Sequence, residues 1–156
     1  MSDYRTVFNH VGLCVRDTAR SRRFYEEVLG FQFWWELEPP DDLTAQVVQL
    51  PEPLGVKATY LVRDGFVLEL IDYSLRSVHA GAQRAMDEVG LTHISLSVSD
   101  LGAVLARVAD NGGSVVEAAV SDAMAMIRDP DGQLIELVTD GWLAALPPRP
   151  QEQFDI

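Results

Sequence analysis

The chain has 156 residues, with 12 Lys and Arg against 24 Asp and Glu, for a formal net charge of −12. That balance argues against nucleic acid or an anionic membrane surface as a partner, because either requires a basic face. Hydrophobic residues make up 47%, as in an ordinary globular protein, and the single cysteine, Cys14, excludes a disulfide framework and a cysteine-rich zinc site. No apolar run approaches the roughly 20 residues of a membrane span. Met1-Ser2-Asp3-Tyr4-Arg5 carries no apolar signal core. A soluble, cytoplasmic chain folded as a single domain over residues 1–156 is expected.

In chain order, residues 7–15 alternate as a strand does. Asp17-Thr18 offers a helix N-cap. A helix over 19–29 follows, with Phe24, Val28 and Leu29 toward a core, and Gly30 stops it. Strands are expected over 31–37, 45–50, 57–62 and 66–73, with prolines marking the loops between them. Residues 74–90 form a linker, with a short helix expected over 82–88. A strand over 92–98 leads to a helix over 101–110, capped by Ser99-Asp100 and stopped by Asn111-Gly112-Gly113. Strands over 114–117, 123–128 and 134–139 follow, the last two joined by the turn Asp129-Pro130-Asp131-Gly132. The tail, 140–156, opens with apolar residues around Trp142 that dock briefly, then becomes proline-rich.

These elements repeat. H-V-G-L-C-V-R-D at 10–17 is echoed by H-I-S-L-S-V-S-D at 93–100, so an offset of 83 carries His10 onto His93 and Asp17 onto Asp100. R-D-G-F-V-L-E-L-I at 63–71 is echoed by R-D-P-D-G-Q-L-I-E-L-V at 128–138, where an offset of 67 carries Glu69 onto Glu136. Two modules, 6–73 and 91–139, each reading β-α-β-β-β, are expected.

Strand alternation puts His10 on one face with Gly12 and Cys14, and His93 on one face with Ser95 and Ser97. Each histidine thus looks out over small residues, which leaves the space a pocket needs. Glu69 and Glu136 are each flanked by aliphatics, and a carboxylate in a buried strand is costly unless paired or bound to a metal. Two imidazoles and two carboxylates form a mixed nitrogen and oxygen set suited to a divalent metal with open positions.

N-H-V-G-L-C-V-R-D-T-A-R-S-R-R-F-Y-E-E-V-L-G-F at 9–31, G-F-V-L-E-L-I at 65–71, L-T-H-I-S-L-S-V-S-D-L at 91–101 and R-D-P-D-G-Q-L-I-E-L-V at 128–138 closely resemble the vicinal oxygen chelate superfamily. That family includes glyoxalase I, methylmalonyl-CoA epimerase, extradiol dioxygenases and bleomycin-type resistance proteins. The resemblance implies an α+β fold of two tandem βαβββ modules whose curled mixed sheets form a metal-binding cup. The cup is built either within one chain or across a homodimer. By the same resemblance His10, Glu69, His93 and Glu136 are the ligands of one divalent ion (Ni, Co, Mn, Zn or Fe). The substrate is then a small molecule with adjacent oxygens, and Glu136 or Glu69 is the base.

The first reading is a lyase, isomerase or epimerase that abstracts a proton next to a carbonyl. The second is an Fe(II) ring-cleaving dioxygenase, and the third a non-catalytic binding or resistance protein with Trp34, Trp35 and Tyr60 as stacking surfaces. His79 reads as an exposed linker residue, and Cys14 as either pocket lining or a small core residue. Arg16, Arg20, Arg22 and Arg23 read as a solvated helix face paired to Glu26 and Glu27. Strand alternation sends Trp34 and Trp35 to opposite faces.

Overall fold

The computed structural model describes residues 6–81 and 85–148. The first unit runs β1 (Val11–Cys14), α1 (Thr18–Glu27), β2 (Gln32–Leu37), α2 (Asp41–Val48), β3 (Val56–Arg63) and β4 (Phe66–Tyr73). The second runs β5 (Ile94–Val98), α3 (Leu101–Val108), a 3-10 turn (Ala109–Asn111), β6 (Ser114–Val120), β7 (Met124–Arg128) and β8 (Leu134–Thr139). A short α4 (Asp140–Ala145) follows. The strands form two open four-stranded sheets, ordered β1-β4-β3-β2 and β5-β8-β7-β6. In each, the first strand lies parallel to the fourth and the rest pair antiparallel. This is an α+β fold of two βαβββ-like units.

Both main helices start on the same chemistry. Asp17 accepts a hydrogen bond from the Arg20 amide at 2.9 Å, and Asp100 accepts one from the Ala103 amide at 2.9 Å. Gly30 ends the first helical segment at φ 70°, a left-handed conformation open to glycine at little cost.

Two expected elements differ. Residues 41–48 form α2 rather than contributing to a strand over 45–50. The β-branched pair Val47-Val48 suggested a strand, but Asp41 and Asp42 sit in the first helical turn, where the helix dipole favours acids. The Asp41 carboxylate also accepts from the Leu54 and Gly55 amides at 2.8 and 2.9 Å, which ties α2 to the approach to β3. The helix expected over 82–88 falls partly on residues 82–84, outside the described residues, and 86–90 form turns and bends.

The helix-bearing faces of both sheets share one core. Leu61, Leu68 and Leu70 of the first sheet and Ala125, Ile127, Ile135 and Leu137 of the second cluster with Phe24, Tyr25 and Val108. Gly113 permits this approach, since a Cβ there would collide with the Phe24 ring and the Arg128 carbonyl. The polar residues of α1 reach across to the second unit. Arg20 donates to Asp131 at 2.6 Å, Tyr25 donates to buried Asp129 at 3.0 Å, and Arg23 donates to the Asp110 carbonyl at 2.7 Å. Only Arg22 of the four arginines pairs along the helix, with Glu26 at 2.8 Å, while Glu27 is taken by Arg107 of α3 at 3.0 Å. The expected self-paired helix face is therefore mostly an inter-unit clasp. Because the two sheets turn their aliphatic faces toward each other, their opposite faces look outward.

Candidate functional site

Strand register builds two matching pairs on those outward faces. Gly12 pairs with Glu69 across β1 and β4, and Ser95 pairs with Glu136 across β5 and β8. Each glutamate therefore stands opposite the small residue two positions after a histidine. His10 Nε2 lies 3.1 Å from Glu69 Oε2, and His93 Nε2 lies 3.7 Å from Glu136 Oε2. The carboxylates are not buried among their aliphatic neighbours, as their flanking residues suggested. Their side chains are 14% and 25% exposed, and the flanking Leu68, Leu70, Ile135 and Leu137 point the other way, into the core. Alternation thus lets each carboxylate avoid the cost of full burial.

The residue before each histidine orients its ring. Asn9 Oδ1 lies 2.6 Å from His10 Nδ1, and Thr92 Oγ1 lies 2.9 Å from His93 Nδ1. With the Nδ1 hydrogen of His10 given to Asn9, its Nε2 presents a lone pair to a carboxylate oxygen 3.1 Å away. With the ring neutral two acceptors would face each other there, a conflict that either a proton on Nε2 or a shared cation resolves. Two donors at right angles around an ion at about 2.1 Å lie about 3 Å apart, so the first pair has a metal-chelating bite. The nitrogen and oxygen donors of this pair are of the kind a divalent metal takes. Asn9 and Thr92 were missed in the sequence, although the offset of 83 that relates the histidines also relates them.

The pairs differ in their surroundings. Tyr60 of β3, in register with Glu69, donates to Glu69 Oε1 at 2.7 Å and meets the His10 ring edge to face. Burial and that hydrogen bond push the Tyr60 hydroxyl up to about 12. The position opposite Glu136 belongs to Met126, and Glu136 Oε2 instead accepts from Ser95 Oγ at 2.6 Å. A register shift between Phe33 and Trp35 in β2 breaks the strand alternation, so Trp34 and Trp35 do not part to opposite faces. Trp35 stacks on Tyr60 at 4.7 Å and Trp34 meets the same ring at 6.4 Å.

The two pairs do not converge within one chain. Among the described residues, no three His, Cys, Asp or Glu side chains lie close enough together to hold one metal ion. His10 and His93 each immediately precede a sheet-edge strand, β1 and β5, and a cavity of about 720 Å³ opens beside these strands, lined by Val11, Leu13, Phe66, His93, Ile94 and Leu96. Cys14 keeps its proton: partial burial, then Asp131 and Asp72, push its thiol up, so it makes a poor thiolate ligand. His79 is exposed. No described helix is long and apolar enough to cross a membrane.

The sequence pattern of the Glyoxalase/Bleomycin resistance protein/Dioxygenase superfamily matches residues 7–137. A lactoylglutathione lyase from Pseudomonas aeruginosa is 30% identical over 146 residues, covering 85% of this chain and 81% of that protein. A glyoxalase family protein from Bacillus cereus superposes with a TM-score of 0.76 at 18% identity, covering 89% of this chain and 97% of the other. The trypanothione-dependent glyoxalase I of Leishmania major gives 0.64 at 24% identity, covering 86% and 87%.

Proposed function

We propose that this chain, which belongs to the Glyoxalase/Bleomycin resistance protein/Dioxygenase superfamily, is a metal-dependent lyase or isomerase whose site is completed by a second copy. The observation that carries the reading is the repeated pair, a histidine oriented through Nδ1 with Nε2 turned to a glutamate. His10 and Glu69 of one copy hold the ion together with the equivalents of His93 and Glu136 from the other. The unpaired edges of β1 and β5 support this, because an open edge invites pairing with another chain. Joining β1 of one copy to β5 of the next sets the two half-sites side by side on one continuous face. The outward turn of both faces gives the same answer, since a shared core inside the chain keeps the half-sites apart.

These four side chains would hold a divalent ion, which would supply Lewis-acid chemistry that acidifies a C–H next to a substrate carbonyl. The residues divide the remaining work. Glu69 is fixed through Oε1 by Tyr60, which suits a permanent ligand. Glu136 accepts from a serine hydroxyl, which can rotate, and its histidine stands farther off at 3.7 Å, so Glu136 takes the substrate proton and returns it to the neighbouring carbon.

Metal analysis of the purified protein after supplementation with Ni, Co, Mn, Zn and Fe tests the first half of this reading, and no uptake of any ion would sink it. The second half is tested by exchange of the carbon-bound proton of a 2-hydroxyketone with solvent deuterium. Glu136→Gln should slow that exchange by about 10²–10⁴. Unchanged exchange in the variant would remove Glu136 as the base.

A further inference from the structure

The aromatic residues beside Glu69 form a corner. Trp35 and Tyr60 are parallel, 6° apart, and Trp34 stands across both at 75° and 81°. Despite this stacking, Trp34 remains 60% exposed and Trp35 41%. The Tyr60 hydroxyl bonds Glu69 and its ring touches His10, so the corner is continuous with the first half-site. Large flat apolar surface kept in water next to a polar pair gains free energy when a ring covers it.

Among the described residues, the charges disfavour an anionic substrate. Three of the 12 Lys and Arg, namely Arg5, Arg84 and Arg149, lie outside the described residues. The other nine each have a carboxylate, carbonyl or amide partner within the chain. Lys57, on the strand that carries Tyr60, is held by Glu36 at 3.0 Å. A glutathione-borne substrate brings two carboxylates, which are usually met by uncommitted arginine or lysine. Here they would also approach a chain of net charge −12.

We propose that Trp34, Trp35 and Tyr60 form a subsite for a flat, uncharged or cationic ring, carried by a substrate whose adjacent oxygens reach His10 and Glu69. The site discriminates against glutathione-borne substrates. This inference rests on the site proposed above, and it extends that site to a substrate class.

Calorimetric titration of the full-length protein, with and without cobalt(II), tests it using three probes. 2-Hydroxyacetophenone carries the ring, hydroxyacetone lacks it, and S-lactoylglutathione is anionic. The ring compound should bind about tenfold more tightly than hydroxyacetone, and S-lactoylglutathione most weakly. Trp34→Ala should abolish the advantage of the ring, and Trp34→Phe, which keeps an aromatic face, should retain most of it. S-Lactoylglutathione binding as tightly as the ring compound would overturn the proposal. So would a ring advantage that survives Trp34→Ala and Trp35→Ala, or dissociation of the oligomer by Trp34→Ala, which would make the corner a contact between copies. Failure of cobalt to bind while the ring advantage persists counts against the metal site alone. Cobalt binding without a ring advantage counts against the subsite alone.

Discussion

The two half-sites share a backbone plan and differ in what holds the carboxylate. In the first, Gly12 leaves room under Glu69, whose Oε2 would lie 3.2 Å from any Cβ added at that position, and Tyr60 grips the other oxygen. In the second, Ser95 fills the corresponding place and bonds the same oxygen that faces His93. The first carboxylate is the less exposed, 14% against 25%, and its histidine is the closer, 3.1 Å against 3.7 Å. One repeated scaffold thus produces one rigid and one looser acid. A reaction that needs both a fixed ligand and a movable base makes use of that difference.

The comparison can be broken most sharply by separating the halves. A His10→Ala/Glu69→Ala chain and a His93→Ala/Glu136→Ala chain should each fail to bind metal alone. Their co-expressed, doubly tagged heterodimer should recover about one intact site per pair, because one combination reunites wild-type halves. A heterodimer with no metal would place each site within one chain. Next in size, Tyr60→Phe should weaken metal binding by about tenfold, as expected when the partner of a ligand is lost. Met126→Leu, at the matching position, should leave binding unchanged; equal losses in both would erase the distinction.

Away from the site, Tyr25→Phe removes the buried hydrogen bond to Asp129 that joins the units. It should cost about 1–3 kcal/mol by chemical denaturation while metal uptake stays at the wild-type level. Ser95→Ala should change deuterium exchange only a few-fold, about 1 kcal/mol or less, because a single hydroxyl contact is lost.

The smallest effect is a titration. Tyr60 is raised from its ordinary value to about 12, so the stability it contributes is intact below pH 10 and is lost as pH rises toward 12. Burial raises Tyr25 and Tyr73 as well, so the readout is the difference in tyrosinate absorbance between the wild type and Tyr60→Phe, which should be one residue's ionisation centred near pH 12 rather than near pH 10. A difference centred near pH 10 would show that Tyr60 is not held by Glu69.

Much of this architecture is legible in the residues. The echo at offsets of 83 and 67 marks the two units, and Asp17, Asp100 and Gly30 mark helix ends that the structure places within a residue or two. Capping is local chemistry, so it survives without knowledge of the tertiary fold. The α2 segment is not legible locally, because Val47-Val48 has strand propensity while its helix rests on first-turn acids and on hydrogen bonds that Asp41 accepts from amides 13 and 14 positions away. The pairing of Trp34 with Trp35 was misread because a bulge is a property of two strands together.

The candidate site divides the same way. Period-two alternation in the sequence is enough to put His10 with Gly12, and Glu69 away from its leucine neighbours. Register decides that Gly12 faces Glu69 and Ser95 faces Glu136, and a parallel pairing between residues 57 and 41 positions apart is set by long-range packing. The tertiary structure alone decided that both aliphatic faces meet in one core around α1. Each strand pattern is satisfied by any apolar partner, because the hydrophobic effect is non-directional. The clasp of Arg20 on Asp131 and Tyr25 on Asp129 selects which partner it is, and thereby turns both half-sites outward.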